Sequence, residues 1–565
     1  MSEFDRSGAT LFTNGRVVTC NARQPSAEAV AVRAGRIVAV GEEAAVRAEV
    51  ATSEAGAATA EEIDLGGRTV IPGFIDAHNH FACTAETFFA IDARPASAGS
   101  IAELLVLVDH AAERTPPGGW VRGFGMDFTK FAEGRRPTRW DLDEVTREHP
   151  VVILHVSGHY ALVNSRALAE RGITDDVGDP PGGSFERDSA GRPTGLLLDS
   201  ATNLVLLSSV DIGGHGPNIH TAIETEALVT MLDEASRRYL AAGLTTVCDP
   251  QVTSRELSAY REARARGVLR IRTVALPLSH QLEQLLAIGL VGPFGDDWLS
   301  IGGMKFYTDG AITGGTAVFS RPMGSRGQYP GTLYHEPAEL ATLLRTAAGA
   351  GWQLAIHTMG DRAMGIMLDA AEGAMAAAPE RDSRHRIEHA TWPTTEQLGR
   401  IARLGMVPVT QPGSIAELGD IWRDHLGERV ERAMPLREML ELGIRPAISS
   451  DAFVQSYRPL DTVAAAMRRV TPSGVRVGAD QELTIEEAIA AHTINAARAL
   501  HMEDRIGSIE PGKLADLVVL ADDIFSIDPV KIADTKVWMT VFDGRIVVGP
   551  VPGPYRKDSS GLLLR

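Results

Sequence analysis

The chain has 565 residues, 44% of them hydrophobic and 23% charged, which is typical of a globular protein with more than one domain. Its formal net charge of −18 argues against DNA or RNA as a partner, because proteins that bind nucleic acids usually carry a basic surface. Three scattered cysteines predict no disulfide framework. Because neither a leader-like start nor a long apolar run is visible, we expect a cytoplasmic protein without a membrane partner. We further expect a small-molecule substrate and a homodimer.

Three hairpins, each made of short strands around a tight turn, are predicted near the two ends of the chain. Residues 11–18 contain an Asn14-Gly15 turn, residues 29–40 surround Ala34-Gly35, and residues 540–548 repeat the first pattern. Residues 514–520 supply a further strand. Because none of these pieces can bury its own apolar face, we predict that residues 1–70 and 507–565 pair into one composite β-sandwich.

The segment Asp76-Ala77-His78-Asn79-His80 closes an apolar run over residues 70–75. Side chains alternate along an extended chain, so Asp76, His78 and His80 share one face. Two neutral imidazoles at the end of a strand can bind zinc or a related metal ion. On its own, this spacing is also consistent with two ordinary histidines.

Further short apolar runs, each ending at a polar residue and leading into a helical pattern, follow along the chain. With residues 74–80 they make eight predicted strands, the others covering residues 244–249, 271–276, 303–307, 353–357, 386–389, 406–411 and 445–451. Helical patterns fill most gaps, as over residues 338–348, 362–377 and 395–403. This alternation is typical of an α/β fold of the (β/α)₈ TIM barrel type, here over residues 71–506, which places catalytic groups at the carboxyl ends of its strands.

The first and second of these strands are separated by far more than the roughly 30 residues of one βα unit. The intervening chain has its own periodic segments, including a strand over residues 151–156 and a helix over residues 223–241. We predict that residues 85–220 form a cap inserted between strands 1 and 2.

These stretches resemble the metal-dependent amidohydrolase superfamily, and more narrowly its YtcJ-like branch (amidohydrolase family 3), which includes N-substituted formamide deformylases. The matching segments are residues 72–80, 305–310, 357–363, 386–389, 411–412, 450–452 and 511–517. The resemblance implies a TIM barrel beside a β-sandwich built from both chain ends. It also implies that the metal ligands are His78, His80, His357, His389 and Asp451, with Lys305 on the fourth strand.

The resemblance and the ligand types together indicate hydrolysis by metal-bound hydroxide, since a divalent metal lowers the pKa of its bound water to about 7. A proton must then reach the leaving nitrogen, and we assign that transfer to Asp451. A plain ligand or helix-cap role for Asp451 remains the alternative. We expect one or two metal ions per chain, with zinc as the first candidate.

A lysine beside a metal is electrostatically reasonable if carbon dioxide has converted its amine to a carbamate that bridges two ions. We therefore predict a carboxylated Lys305, the alternative being an unmodified Lys305 paired with Asp309. Asp361 is predicted to orient His357, or else to cap the helix that follows. Asp76 is predicted to support a ligand imidazole, the alternative being a hydrogen bond to the hydroxide.

His159 matches a motif of the same branch and is predicted either to donate a hydrogen bond to the substrate carbonyl or to be structural. Four aromatic residues are predicted to line the substrate pocket: Phe81, Phe124, Tyr160 and Phe453. Apolar walls without an evident basic cluster favour a small neutral amide, such as an N-substituted formamide. The alternatives are an amino-ring deaminase, an esterase or lactonase using the same metal hydroxide, and a catalytically silent binding protein.

Overall fold

Parallel strands form the centre of the larger of two units into which the chain divides. This unit comprises residues 1–81, 214–216 and 232–565, and the smaller unit comprises residues 82–213 and 217–231. The computed structural model describes residues 8–52, 60–95, 97–115, 118–155, 160–180, 183–206, 210–377, 382–550, 556–557 and 563–564. No helix within these ranges is long and apolar enough to cross a bilayer.

All eight strands predicted for the barrel are present in the larger unit, at shifted bounds. They are Phe74–Asp76, Leu244–Val252, Arg272–Pro277, Met304–Tyr307, Leu354–Thr358, Arg386–His389, Val407–Thr410 and Ala447–Ile448, numbered strands 1 to 8 below. Strands 1 to 3 pair in parallel, and the short strands Leu299–Ile301 and Phe294–Gly295 extend their sheet. Strands 4 to 8 form a second, wholly parallel sheet.

The two parallel sheets approach each other at both margins without one closed ladder among the described strands. A parallel bridge joins Leu278, just after strand 3, to Lys305 on strand 4. At the other margin the Asp451 N–H donates to the His78 carbonyl over 2.9 Å. The carboxyl ends of strands 1 and 8 therefore lie side by side, which brings their polar residues together.

Helices follow the strands, and their ends are set by local sequence. The four helices predicted from periodicity are present as Thr225–Ala241, Pro337–Ala350, Asp361–Ala376 and Thr395–Leu404. Pro337 fits the first turn because it needs no amide partner there, and Gly351 ends the same helix at φ 106°. The remaining helices around these strands are Ser254–Ala265, Leu282–Ala287, Gly413–Leu426, Leu436–Glu441, Pro459–Arg468, Ile485–Ala491 and Ile494–Ala499.

Strands from both chain ends share one sheet. Its order is Arg545–Val548, Val537–Phe542, Leu517–Leu520, Thr69–Pro72, Arg16–Val18 and Ser26–Ala27. A second sheet has the order Arg36–Gly41, Ala29–Arg33, Ala9–Thr13 and Glu61–Asp64. The helix Glu43–Thr52 lies in the chain between its strands Arg36–Gly41 and Glu61–Asp64. Val32 of one sheet and Val519 of the other belong to the same buried apolar cluster.

Two of the three predicted hairpins are confirmed, and the first is wrong. Ala34-Gly35 and Asp543-Gly544 each join antiparallel neighbours, with positive φ at both turn residues. Around Asn14 the chain also turns, at φ 53°, but the flanking strands enter different sheets and do not pair with each other. A turn sequence determines the local bend of the chain. Which strands then pair depends on where their apolar faces can be buried against residues distant in sequence.

The smaller unit contains one six-stranded sheet. Its order is Gly183–Arg187, Pro193–Asp199, Tyr160–Val163, Val151–His155, Val121–Met126 and Ile91–Asp92. The helices Ile101–Ala112, Arg139–Asp143 and Ser165–Glu170 belong to the same unit. The strand predicted over residues 151–156 is therefore present, and the inserted chain has its own apolar core around Val121, Val151 and Leu162.

Candidate metal centre

The predicted ligands converge at the carboxyl ends of their strands. His78 and His80 follow strand 1, and Asp451 follows strand 8. Asp451 Oδ1 lies 3.3 Å from His78 Nε2 and 3.2 Å from His80 Nε2. These three residues are buried, and one ligand atom from each lies within 4.8 Å of the other two. This is a spacing that a single metal ion can bridge.

Two further imidazole rings complete a cluster of four. The ring centroid of His389 lies 4.8 Å from that of His78 and 4.4 Å from that of His357, while the His78 and His80 centroids are 5.4 Å apart. Asp451 Oδ2 lies 3.9 Å from His389 Nδ1. The structure thus brings together the four histidines and the aspartate that the sequence singled out.

The polar atoms at the centre of this cluster are placed to bind a cation and do not form hydrogen bonds with each other. Within the described ranges, neither His78 Nε2 nor Asp451 Oδ1 has a hydrogen-bond partner, although both are buried. Leaving buried polar atoms unpaired is costly, and a metal ion would satisfy both at once. The donor set of imidazole nitrogen and carboxylate oxygen suits zinc and neighbouring divalent ions.

Two of the ligands occupy unusual backbone conformations. His389 has φ 72° and Asp451 has φ 54°, in the left-handed region that side chains other than glycine rarely adopt. Such conformations concentrate at functional sites, where surrounding structure holds them. Strict alternation along strand 6 would turn His389 away from the face of Glu388, and the positive φ lets both adjacent side chains reach the cluster.

Burial and neighbouring charges favour the ligand forms of these side chains. Burial lowers the pKa of His389 to about 3 and that of His357 well below its ordinary value, which keeps both rings neutral. Burial by itself would raise the pKa of Asp451, but His78 beside it holds that pKa well below the usual range. Neutral imidazoles and an ionised carboxylate are the species that bind metals.

Lys305 on strand 4 is fully buried, and burial lowers the pKa of its amine to about 8. Its Nζ has no hydrogen-bond partner among the described residues and lies 4.6 Å from the ring centroid of Tyr307. The alternative pairing with Asp309 is wrong. Asp309 instead accepts backbone N–H groups from the loops that follow strands 4 and 5, at Val318, Met359 and Gly360.

Two supporting residues were missed in the sequence analysis. Glu388 contacts His78 Nδ1 in a short hydrogen bond, and the Gln411 Oε1 atom lies 2.8 Å from His389 Nδ1. Period-two alternation in Arg386-Ile387-Glu388 places the two charges on one face of a buried strand, and that signal could have revealed Glu388. His357 uses its Nε2 toward the Gly310 carbonyl at 3.2 Å.

The support of a ligand imidazole predicted for Asp76 and the roles predicted for Asp361 are wrong. Within the described ranges Asp76 forms no hydrogen bond to a ligand imidazole and accepts hydrogen bonds from Ser450 and Asn79. Asp361 accepts the backbone N–H of Ser320 over 2.8 Å and also its hydroxyl, instead of orienting His357. Gly360 occupies the N-cap position of the helix, so Asp361 is its first residue.

The predicted aromatic wall is only partly in place. Phe81 is a core residue, fully buried with its centroid 5.0 Å from that of Tyr239. Phe453 is half-buried, and its ring lies 6.2 Å from that of His80. Phe124 and Tyr160 lie on strands of the smaller unit, both half-buried. His159 lies outside the described residues.

The alternating strands and helices, with a buried histidine and aspartate group at the strand ends, define a TIM-barrel-like α/β protein whose strand ends can hold a divalent metal ion. Among solved structures, an uncharacterized metal-dependent hydrolase from Pyrococcus horikoshii is similar with a TM-score of 0.76 and 25% identity. That match covers 93% of this chain and 99% of the other.

The chain belongs to the amidohydrolase family, whose sequence profile matches residues 61–548. It is 34% identical over 544 residues to the N-substituted formamide deformylase of Arthrobacter pascens, covering 94% of this chain and 97% of that protein. It is 29% identical to the putative amidohydrolase YtcJ of Bacillus subtilis, covering 87% and 91% of the two chains. The protein is thus a hydrolase of carbon–nitrogen bonds other than peptide bonds.

Proposed function

We propose that this enzyme hydrolyses the C–N bond of a small neutral N-substituted amide, with N-substituted formamides as its first substrate class. The observation that carries the proposal is the buried His78, His80 and Asp451 group, in a chain 34% identical to an N-substituted formamide deformylase. The half-buried Phe453 beside His80 supplies an apolar wall at this group.

The same cluster indicates which residues would hold the metal ions. His78, His80 and Asp451 would bind one ion, which we propose to be zinc. His357 and His389 would bind a second, bridged to the first by a carbamate on Lys305. A buried amine without a hydrogen-bond partner supports this assignment, since carbon dioxide adds only to the neutral amine. When bound, such cations acidify water and polarise a carbonyl group.

Asp451 has the position needed to move the proton. Its Oδ1 faces His78 and His80, so Oδ2 is the oxygen that we assign to proton transfer. In the proposed reaction, a water oxygen attacks the amide carbon, Asp451 Oδ2 accepts the proton, and the C–N bond breaks as Asp451 returns that proton to nitrogen. The products of a formamide are formate and a substituted amine. Burial of the cluster keeps bulk water from competing for the proton.

Four further assignments belong to this proposal. Residues 1–70 and 507–565 are proposed to form a composite β-sandwich, and residues 85–220 a cap. His159 is proposed to donate a hydrogen bond to the substrate carbonyl. The assembly is proposed to be a homodimer, for which a molar mass near twice 60.4 kDa by light scattering is expected.

Substrate class is tested by measuring nitrogen products from metal-loaded enzyme with N-substituted formamides, other amides and amino-substituted rings. Release of a substituted amine that chelation abolishes supports the proposal. Free ammonia from the rings would replace it with a deaminase, and turnover of esters or lactones alone would replace it with an esterase. Inactivity on the whole panel would contradict the substrate class.

A further inference from the structure

A buried ion pair lies directly behind one of the predicted metal ligands. Arg386 and Glu388 occupy strand 6 two residues apart, and both side chains are fully buried. Arg386 Nε donates to Glu388 Oε1 over 2.7 Å, and a terminal guanidinium nitrogen donates to Oε2 over 2.9 Å. Glu388 Oε2 also accepts a short hydrogen bond from His78 Nδ1. The carboxylate therefore joins Arg386 to His78.

The same guanidinium group fixes the backbone beside His78. Arg386 donates to the Ala77 carbonyl over 2.6 Å and to Cys248 Sγ over 3.4 Å. Because the arginine is held at several points, the Glu388 carboxylate cannot turn away from His78 without breaking other bonds. The arrangement determines both the ring orientation of His78 and the peptide that carries it.

An ionised carboxylate accepts hydrogen bonds and cannot donate them, so Glu388 requires the proton of His78 on Nδ1. The lone pair of His78 is thereby left on Nε2, the atom that faces Asp451 at 3.3 Å. Arg386 donates to both carboxylate oxygens of Glu388, so the acceptor that faces His78 Nδ1 is held in a bidentate ion pair. This ion pair therefore sets the tautomer of His78.

This carboxylate support distinguishes His78 from two of the other candidate ligands, His389 and His357. His389 is held by the neutral amide of Gln411, and His357 by the neutral carbonyl of Gly310. A carboxylate behind an imidazole raises its basicity more than a neutral oxygen does, because negative charge stabilises the partly positive ring.

We propose that Glu388 is a positioning residue that fixes the tautomer of His78 and strengthens it as a ligand, while Arg386 holds the Glu388 carboxylate against His78. This inference rests on the metal centre of the proposed function. It assigns to strand 6 two tasks, since the strand supplies His389 to the cluster and supports His78 from strand 1.

Two variants distinguish the effect of the Glu388 charge from the effect of its side-chain length. Glu388→Gln keeps the length and removes the charge, whereas Glu388→Asp keeps the charge and withdraws it by one methylene. We expect either change to weaken metal affinity by about 10- to 100-fold, measured by competition with a chelator of known affinity. We also expect a shift in the visible absorption of the cobalt-substituted protein, which a purely structural role would not move.

The matched control is Glu487→Gln, because Glu487 also forms a bidentate pair with an arginine, Arg437, and contacts no ligand. Its metal affinity and cobalt spectrum should equal those of the wild type. If Glu388→Gln fails to fold because it leaves Arg386 uncompensated, the double variant Arg386→Met with Glu388→Gln removes both charges and serves instead.

The outcomes distinguish this inference from the proposed function. Folded Glu388 variants with wild-type metal affinity and cobalt spectrum would overturn the inference and leave the metal centre intact. A wild-type protein that binds no divalent metal would overturn both. Weakened affinity in the Gln variant alone would assign the effect to charge and contradict the part of the proposal that requires contact with His78.

Discussion

Asp76 on strand 1 binds Ser450, the residue that precedes Asp451 after the end of strand 8. Its Oδ1 accepts the Ser450 backbone N–H over 3.0 Å, and its Oδ2 accepts the Ser450 hydroxyl over 2.6 Å. Asn79 donates to the same Oδ2 over 2.8 Å. Since His78 and His80 follow Asp76 directly, this carboxylate fixes the distance between the ligands of one strand and the aspartate of the other.

We expect Asp76→Asn to lower turnover about 10- to 100-fold, because at least one of the three donors to Asp76 then faces an NH₂ group in place of an acceptor oxygen. Turnover and metal content should be measured on the same preparation. Asp361→Asn is the matched control, since Asp361 binds the backbone and hydroxyl of Ser320 in the same manner at an exposed site. Equal losses in the two variants would contradict a specific role for Asp76.

Asp451→Asn should retain metal and lose about 10²- to 10⁴-fold in turnover. The amide keeps an oxygen toward His78 and His80 but cannot accept a proton at neutral pH. Metal content by elemental analysis and turnover of the best substrate are the measurements. If the variant keeps turnover and loses metal, Asp451 is a ligand and not the proton carrier.

Lys305→Met should reduce the metal content from two ions per chain to one, because the bridging group is removed while most of the apolar side chain is kept. Lys513→Met is a control at a lysine whose Nζ already donates to the Glu503 carbonyl and the Ser508 hydroxyl. It should keep both ions. A wild-type protein with one tightly held ion, unchanged by added bicarbonate, contradicts the carbamate.

Asp309→Asn is expected to destabilise the larger unit by about 1–3 kcal/mol, since it leaves a buried backbone N–H without an acceptor. The carboxylate accepts from Val318, Met359 and Gly360, and an amide can serve only part of this set. Urea denaturation measures the effect. Asp296→Asn, at an exposed carboxylate that accepts from Trp298 and Leu299, should change stability by less. A reversed order would show that Asp309 is dispensable.

Local pattern was sufficient to predict the strands and most of the ligands. The eight strands, the helices that follow them and the residues at their ends can be predicted because apolar periodicity and turn residues act over a few positions. The prediction of a hairpin at Asn14-Gly15 was wrong because strand pairing depends on contacts between residues distant in sequence. The local bend there is real, but the strands on either side bury their faces in different sheets.

The sequence by itself determined that His78, His80, His357, His389 and Asp451 are at strand ends. The length of a strand and the position of its last residue follow from the local pattern of apolar residues. In a parallel arrangement, these last residues lie at the same end of the strands. Only the tertiary structure decided which side chains support them. Glu388 reaches His78 across 310 positions of the chain and Asp76 reaches Ser450 across 374, and such pairings depend on close packing between distant strands. No local spacing encodes that packing.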